Sequence, residues 1–424
     1  MRVLVVGSGG REHALAAKLG SERAVSYICC APGNPGMEKI AAVERIDISD
    51  TDALLALALR ERIDLTVVGP ELPLERGLVD RFGEAQCRVF GPTRAASQLE
   101  CSKVFAKEFM ARHGIPTARY RVCTTAEQAF AVVSSGELGV PVVVKADGLA
   151  AGKGVVVAAN RDEAIDAVRA AMVDHRFGAA GSRVVLEECL VGPEASFFAI
   201  CDGRRAVPLT SAQDHKRIFD GDRGPNTGGM GAFAPSPLVD GAMQARVMRE
   251  IVDPVLNGMR AEGAPYSGFL YVGLMLTCDG PRVIEFNVRF GDPEAQVVMP
   301  LIASDLHPVL EAAARGALDE SSAVSMKPQV SVGVVLASAG YPGEIRVGQP
   351  ITGLDEANAE PGVMVFHAGT AMKDNQLVTA GGRVLTVVAS GTDYAQARDR
   401  AYAAAARVRF EGMQYRHDIG LKAL

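Results

Sequence analysis

Val283-Ile284-Glu285-Phe286-Asn287-Val288-Arg289-Phe290-Gly291-Asp292-Pro293-Glu294-Ala295-Gln296 is the stretch on which the architecture turns. Its first five residues read as a strand. Successive side chains on a strand point to opposite faces, so Ile284 and Phe286 face one layer while Glu285 and Asn287 share the other. Two such positions lie ~6.5–7 Å apart. A carboxylate and an amide oxygen at that spacing can converge on one hard cation, with phosphate oxygens and water completing its shell. A solvated strand face is the plainer alternative. Phe286 and the flanking Val283 and Val288 favour a buried strand, where an acid and an amide need a partner. Arg289 lies two residues past Asn287 and faces the same way if the strand continues.

Working outward, Ser196–Cys201 and Gly268–Leu276 read as the neighbouring strands, with a long polar, glycine-rich loop at 213–231 between them. That loop holds Gln213-Asp214-His215-Lys216-Arg217 and Gly224-Pro225-Asn226-Thr227-Gly228-Gly229-Met230-Gly231. Ordering so many polar and glycine residues costs conformational entropy, and a merely flexible loop fits the composition equally well. Further upstream, Val142–Lys145, Val155–Ala158 and Val184–Glu187 read as strands around a helix at Arg161–Met172, a small α+β module. Lys145 inside an apolar strand needs an anion to offset its desolvation, or an edge position from which it snorkels outward. The loop after it, Gly148-Leu149-Ala150-Ala151-Gly152-Lys153-Gly154, combines three glycines with a second lysine, and its backbone amides can close over phosphates.

The first hundred residues alternate apolar runs with amphipathic segments: strands at Val3–Val6, Val25–Cys30, Leu65–Val68 and Val89–Phe90, helices at Arg11–Leu19 and Asp50–Arg60. That order implies a doubly wound parallel sheet. The turn Gly7-Ser8-Gly9-Gly10-Arg11-Glu12 follows the first strand and opens a helix, where free backbone N–H groups and the helix dipole favour an anion. A dinucleotide fingerprint needs a third glycine where Glu12 stands and an acid where Cys29-Cys30 ends the second strand. The turn therefore fits a single phosphate better than a dinucleotide, and a tight turn without a ligand is the alternative. Gly33-Asn34-Pro35-Gly36 and Gly69-Pro70-Glu71 end later strands, which places a small-molecule site on that edge. After a helix at Ser102–Arg112, the last hundred residues carry strands near Val332–Ala337, Gly362–His367 and Arg383–Ala389, then a helix at Tyr394–Val408.

Composition narrows the function. The net charge of −6 lacks the basic footprint of a nucleic-acid partner, and with no Trp and 5% aromatics base-stacking platforms are not expected. No apolar run approaches the ~18–20 residues of a membrane span. The N-terminal Met-Arg-Val-Leu-Val-Val runs straight into a glycine turn, as a first strand and not a signal peptide would. Eight cysteines without Cys-x-x-Cys spacing read as reduced core residues, which implies a cytoplasmic enzyme acting on small molecules.

Together these stretches closely resemble the glycinamide ribonucleotide synthetase family of ATP-grasp ligases. The resemblance rests on Val5–Ala14, Lys145–Gly154, Asp214–Arg217, Gly224–Gly231, Arg289–Gln296, Gly340-Tyr341-Pro342-Gly343, Phe366–Thr370 and Asp418-Ile419-Gly420, so it covers the whole chain. It implies a multidomain α/β and α+β protein of ATP-grasp architecture. Its parts would be an N-terminal doubly wound domain (1–103), a central ATP-grasp domain (104–327) with a mobile lid at about 121–192, and a C-terminal mixed α/β domain (328–424). It implies ATP between lid and central domain. Lys103, Lys145 and the loop residues Gly152, Lys153 and Gly154 would lie on its phosphates. Glu187, Glu188 and Leu190 would border the adenine, and Glu194 the ribose. Mg²⁺ or Mn²⁺ would sit on Glu285 and Asn287. The preceding strand, Phe269–Thr277, carries no acid that could be a third ligand. The turns Gly9-Gly10-Arg11-Glu12 and Gly33-Asn34-Pro35-Gly36 would hold the sugar phosphate of 5-phosphoribosylamine. Asn226, Thr227, Gly228, Arg289 and Asp292 complete the expected substrate set, and the charge of Asp214 suggests a partner for glycine's ammonium. Arg289, Lys145 and Asp214 are the expected catalytic residues. A monomer or weak homo-oligomer is expected. The rival readings are another ATP-grasp ligase, a dinucleotide-dependent oxidoreductase, or a catalytically silent nucleotide-binding scaffold.

Overall fold

The computed structural model describes residues 1–148 and 154–424. Strands β1 (Arg2–Gly7), β2 (Tyr27–Pro32), β3 (Ala42–Val43), β4 (Leu65–Val68) and β5 (Val89–Phe90) form a parallel sheet in the order β3-β2-β1-β4-β5. Val3–Val6 are wholly buried, as expected of a strand covered on both faces. The order reverses between β1 and β4, so the turns after these strands flank the crevice where such sheets take ligands.

A second sheet lies in the segment expected as the lid: β6 (Tyr120–Cys123), β7 (Val142–Ala146), β8 (Val155–Ala158) and β9 (Val184–Glu188), antiparallel in the order β6-β9-β7-β8. Val142, Val144, Val184 and Leu186 point into its own core, under helices Ala126–Ser135 and Arg161–Val168. Strand alternation therefore turns Lys145 and Glu187 to the opposite face, toward the central sheet. Neither β6 nor the 126–135 helix was expected from the sequence. The expected helix to Met172 is α-helical only to Val168 and ends in a π-helical turn, Arg169–Val173.

The central antiparallel sheet runs in the order Ala206–Pro208, Glu194–Asp202, Ser267–Thr277, Gly280–Asn287. Glu285 pairs with Gly273 and Val283 with Leu274, leaving Ile284 as the extra residue of a bulge. A bulge shifts the alternation. Val283, Phe286 and Val288 are therefore the residues in the core, while Ile284 is only half-buried and does not share Phe286's layer as simple alternation implied.

The remaining five-stranded sheet runs Gln213–Asp214, Gly231–Ala234, Val330–Ala337, Arg383–Gly391, Val363–His367, with helix Tyr394–Ala405 packed on it through Ala397, Ala401 and Ala404. Its first two strands come from the middle of the chain, so residues 213–214 and 231–234 belong in space with residues 330–391. Between them the expected loop is a hairpin, Arg217–Phe219 paired with Arg223–Asn226. All eight cysteines are free. No helix among the described residues is long and apolar enough to cross a membrane.

Candidate active site

The lid and the central sheet meet at a cluster of cations. Lys145 Nζ lies 2.9 Å from Glu187 Oε1 and donates to Ile284 O at 3.0 Å, the carbonyl at the bulge. The other Glu187 oxygen is 2.8 Å from Lys107 Nζ, which also donates to Thr117 Oγ1 at 2.7 Å. All three charged side chains are under a tenth exposed. Burial pushes the Lys107 ammonium down to about 8, with Glu187 opposing that shift. The Glu187 carboxylate is thus committed to two lysines, and only its backbone remains to border a nucleotide. Glu188 turns the other way and pairs with Arg119 at 2.6 Å. Leu190 follows β9, and Cys189 Sγ contacts its carbonyl at 3.8 Å. Lys103 donates to Gly148 O at 3.0 Å. Burial lowers its pKa, with Glu285 opposing and Lys145 adding to the shift. Gly154 closes the base of the glycine loop by accepting from Ala146 N at 2.8 Å, whereas Gly152 and Lys153 lie outside the described residues.

Glu285 stands among these cations. Burial favours its neutral form, but Lys216, Lys145, Lys103 and Arg289 outweigh that and hold its carboxyl below the usual range. The Asn287 amide is best oriented with its nitrogen donating to Phe286 O and Glu100 Oε1, each at 3.2 Å, which turns its oxygen away from Glu100. An ionised carboxylate and an amide oxygen two residues apart are the donors a hard divalent cation prefers. Opposite Glu285 stands Gly273, whose added Cβ would lie 3.2 Å from Glu285 Cγ. Among the described residues no group of three or more His, Cys, Asp or Glu could hold a metal. Glu285 and Asn287 thus fit Mg²⁺ or Mn²⁺, with phosphate oxygens and water able to complete its shell.

Arg289 lies where domains meet: its Nη2 is 2.8 Å from Glu100 Oε1 and its Nε 3.2 Å from Glu71 Oε2, beyond β4. Burial opposes its charge, yet Glu100 and Glu71 raise its pKa above the ordinary value. Glu100 itself is pushed up by burial. Across the site, Lys216 Nζ lies 3.4 Å from Glu194 and 3.7 Å from Glu285. Asp214 is pushed up to about 7, first by burial, with Glu294, Glu194 and Glu285 adding and Lys216 opposing. Glu294 is buried and accepts from Ser196 Oγ at 3.0 Å. Around Lys216 O, Thr227 donates from both N (2.7 Å) and Oγ1 (2.9 Å). Asn226 pairs with Arg217 in the hairpin. Gly228 O and Asp292 both accept from Arg383, and Asp292 Oδ1 accepts from Gln296 at 2.7 Å.

The N-terminal turns are largely self-satisfied. Glu12 accepts from Gly9 N at 2.7 Å and pairs with the buried Arg11, which also donates to Phe290 O at 3.2 Å. A Cβ at Gly69 would meet Glu12 Oε1 at 2.2 Å, so this carboxylate occupies the crevice between β1 and β4. Gly10 runs tight against Gln296, where a Cβ would lie 2.4 Å from Nε2. Asn34 spends its whole amide: Nδ2 donates to Ser8 O (2.8 Å) and His367 O (2.9 Å), and Oδ1 accepts from Gly36 N and Met37 N. Gly33 has a positive φ of +62°, Pro35 is buried in the turn, and a Cβ on Gly36 would strike both His13 and His367 at 2.5 Å. The Glu12 and Asn34 side chains thus build the turns, and the backbone of Gly9, Gly10 and Gly33–Gly36 is what they present.

The structure brings Lys103, Lys145, Glu194, Asp214, Glu285, Asn287 and Arg289 into one charged cluster, and adds Lys107, Lys216, Glu100, Glu71 and Glu294. Lys107 lies on a helix, where no sequence pattern marks it, whereas Glu294 stood inside the Arg289–Gln296 motif without a role assigned to it. Lys216 stood beside Asp214 in a motif already singled out, and its charge was the available signal.

Residues 1–100 match the N domain of phosphoribosylglycinamide synthetase, residues 101–295 its ATP-grasp (A) domain and residues 331–422 its C domain. Curated relatives named phosphoribosylamine–glycine ligase include one from Xanthomonas campestris pv. campestris, 53% identical over 428 residues, and one from Brucella melitensis biotype 1, 51% identical over 424 residues. Each alignment covers 100% of this chain and 98% of the relative. The crystal structure of a phosphoribosylamine–glycine ligase from Thermotoga maritima is similar at 36% identity with a TM-score of 0.86, covering 99% of this chain and 100% of that one. A biotin carboxylase from Campylobacter jejuni, 17% identical with a TM-score of 0.74 over 99% of this chain and 94% of its own, shares the fold alone.

Proposed function

The chain belongs to the phosphoribosylglycinamide synthetase family, and we propose that it joins glycine to 5-phosphoribosylamine, forming N1-(5-phosphoribosyl)glycinamide and converting ATP to ADP and phosphate in de novo purine synthesis. The observation that carries this reading is the convergence of Lys103, Lys145, Lys216 and Arg289 on Glu285, where lid and central sheet meet. Such a cluster suits a triphosphate and a carboxylate brought together for transfer. Family membership favours the ligase over a dinucleotide-dependent oxidoreductase, and Glu12 in the β1/β4 crevice stands where a dinucleotide's pyrophosphate would need room.

Glycine's carboxylate is a poor electrophile. Its oxygen attacks the γ-phosphorus in line, the bond to the β-phosphate oxygen breaks, and glycyl phosphate forms with ADP. The amine of phosphoribosylamine then adds to the acyl carbon, the C–O bond to phosphate breaks, and the nitrogen loses a proton. Lys103 and Lys145 bind the phosphates, and Arg289 stabilises charge on the transferring group. Glu285 and Asn287 would hold Mg²⁺ or Mn²⁺, which supplies charge neutralisation between phosphates. Glu187, Glu188 and Leu190 border the adenine through backbone, Glu194 lies near the ribose, and Gly152–Gly154 cover the phosphates. Asp214 faces glycine's ammonium, whose charge restores the ionised carboxylate. The backbones of Gly9–Gly10 and Gly33–Gly36 border the sugar phosphate, with Arg11, Asn226–Gly228 and Asp292 framing that wall. The division into 1–103, 104–327 and 328–424 and a cytoplasmic site of action belong to the same proposal, as does a chain acting alone or as a weak homo-oligomer.

The test is ADP release from ATP and magnesium, with glycine and freshly generated phosphoribosylamine supplied separately and together. ADP only with both establishes the ligase. Equal turnover with an amino acid other than glycine points to a different ligase, and no turnover with tight nicotinamide cofactor binding overturns the reading.

A further inference from the structure

Arg416 is a wholly buried arginine eight residues from the end of the chain, and besides the nearby Asp418 its partners, Arg217 and Asp222, lie almost two hundred residues away in sequence. Its Nε and Nη2 donate to the two oxygens of Asp418 at 2.7 and 2.6 Å. Its Nη1 reaches Asp222 Oδ1 at 2.9 Å and Arg217 O at 3.0 Å. The same tail makes further bonds to the same hairpin. Gly221 N donates to Asp418 Oδ2 at 2.8 Å, His417 N to Asp220 Oδ1 at 2.8 Å, and Lys422 Nζ pairs with Asp222 at 2.7 Å. The Asp418-Ile419-Gly420 motif thus grips the tip of the 217–226 hairpin, and the guanidinium also reaches its base.

That base carries the chemistry. Arg217 follows Lys216 directly, whose carbonyl is pinned by Thr227, and His215 exchanges backbone bonds with Met230 and Gly231 at 2.8 and 2.9 Å. Asp214 and Lys216 therefore sit on a segment bracketed by the Gly231–Ala234 strand on one side and by Arg416 on the other. A tail that needed only to close the fold could do so with apolar side chains, because burying a guanidinium is costly unless its geometry is used. The guanidinium presents its donors in a rigid planar fork, whereas an ammonium is a compact point charge on a flexible stem.

We propose that Arg416 is a positioning residue for the ligase reaction: it holds the 213–231 segment so that Asp214 and Lys216 face the bound glycine. The C-terminal tail is thereby a working part of the site. The inference rests on the function proposed above. Arg416→Lys keeps the charge and removes the fork, and Asp222→Asn weakens the hold on the hairpin by removing the charge that pairs with Arg416 and Lys422, while leaving the Arg416–Asp418 pair in place. Each variant is assayed with glycine and ATP varied separately, ADP affinity is measured at equilibrium, and amide exchange is followed across 213–231. The expected result is a glycine KM raised about tenfold or more, ADP affinity within about twofold of the unaltered chain, and loss of exchange protection at 215–227. Asp222→Asn moves the same readouts less. Unchanged glycine KM and protection in Asp222→Asn and in any folded Arg416→Lys overturn the proposal. An equal rise in the ATP KM and weaker ADP binding overturn it too, since they indicate general loosening. If the unaltered chain itself makes no ADP with both substrates, the function fails, and exchange in Asp222→Asn still decides whether the tail holds the hairpin.

Discussion

Two regions deliver charge to the same cluster by opposite means. The lid presents Lys145 from the middle of a strand, fixed by neighbours two residues away and by a dry Lys107–Glu187–Lys145 chain. The 213–231 segment presents Asp214 and Lys216 from short strands and a hairpin, held by Thr227 and by Arg416 at the far end of the chain. The first arrangement is deeply buried, each charged side chain under a tenth exposed. The second is half-open, with Lys216 about a third exposed. Buried, fully paired placement suits groups that neutralise phosphates without reorganising, while a segment anchored at its rim can adjust to whichever substrate is bound.

The largest effect should come from the buried side. Lys145→Ala removes a phosphate-facing cation, and loss of one such contact typically costs ~10²–10³ in turnover. Steady-state kinetics should show kcat falling by about that factor, with Glu285→Ala similar and no longer restored by raising the metal concentration. If Lys145→Ala kept full turnover and ATP affinity, the phosphate role would be withdrawn.

Next comes the dry chain itself. Lys107→Met leaves Glu187 with Lys145 alone and strands Thr117 Oγ1 without its donor. Breaking one partner of a buried pair costs roughly 3–5 kcal/mol. The surviving Lys145 contact puts the expected loss near the lower end, read as a shift in the urea midpoint at unchanged m. A loss below about 1 kcal/mol would mean the chain is hydrated and that the contrast with the 213–231 segment is weaker than drawn.

A smaller effect separates the two regions by pH. Asp214 is held up to about 7 by burial and neighbouring carboxylates. A carboxyl whose folded pKa is raised binds more protons folded than unfolded between the ordinary 3.8 and about 7, so its contribution to stability falls as pH rises through that window. Binding of glycine's ammonium needs the ionised form, so kcat/KM for glycine should drop as pH falls below about 7. ATP affinity, set on the lid side, should not follow. The buried pair at the joint of the N-terminal sheet and the C-terminal region gives the opposite slope. His367 N donates to His13 Nδ1 at 2.9 Å, and burial pushes these imidazoles down to about 4 and about 3. Unfolding lets them take protons, so this term erodes stability as pH falls below about 6.5 and on toward those values.

The same contrast explains what the sequence could disclose. Lys145 was legible because a lysine directly after three valines in a strand contradicts its surroundings, and Glu285 with Asn287 because a two-residue period is a local property. The strands of the N-terminal sheet were legible for a similar reason, since Leu65–Val68 is a short apolar run bounded by turns. The bulge at Ile284 was not: it depends on Gly273 in the partner strand, and it moved Ile284 out of the layer that simple alternation assigned it. Nor was the hairpin in 213–231, whose glycines and charges fit a flexible loop equally well until Arg416, Asp418 and Lys422 supply the missing partners. Lys107 was invisible because a lysine on a helix is ordinary until the strand bearing Glu187 packs against it.

The smallest effect belongs to the lid's outer face, and it sharpens the comparison by showing what does not matter. Glu188 adjoins Glu187 in sequence, but alternation sends its carboxylate outward to Arg119, whose side chain is two-thirds exposed. Exposed ion pairs of this kind are worth about 0.2–1 kcal/mol and weaken with salt. Glu188→Gln keeps the backbone that borders the nucleotide and can retain a bond to Arg119 N. It should therefore lower stability by less than about 1 kcal/mol and leave the ATP KM unchanged. A clear rise in the ATP KM would show that the Glu188 carboxylate turns inward when nucleotide binds. Side-chain placement on β9 would then be set by the ligand as well as by the strand.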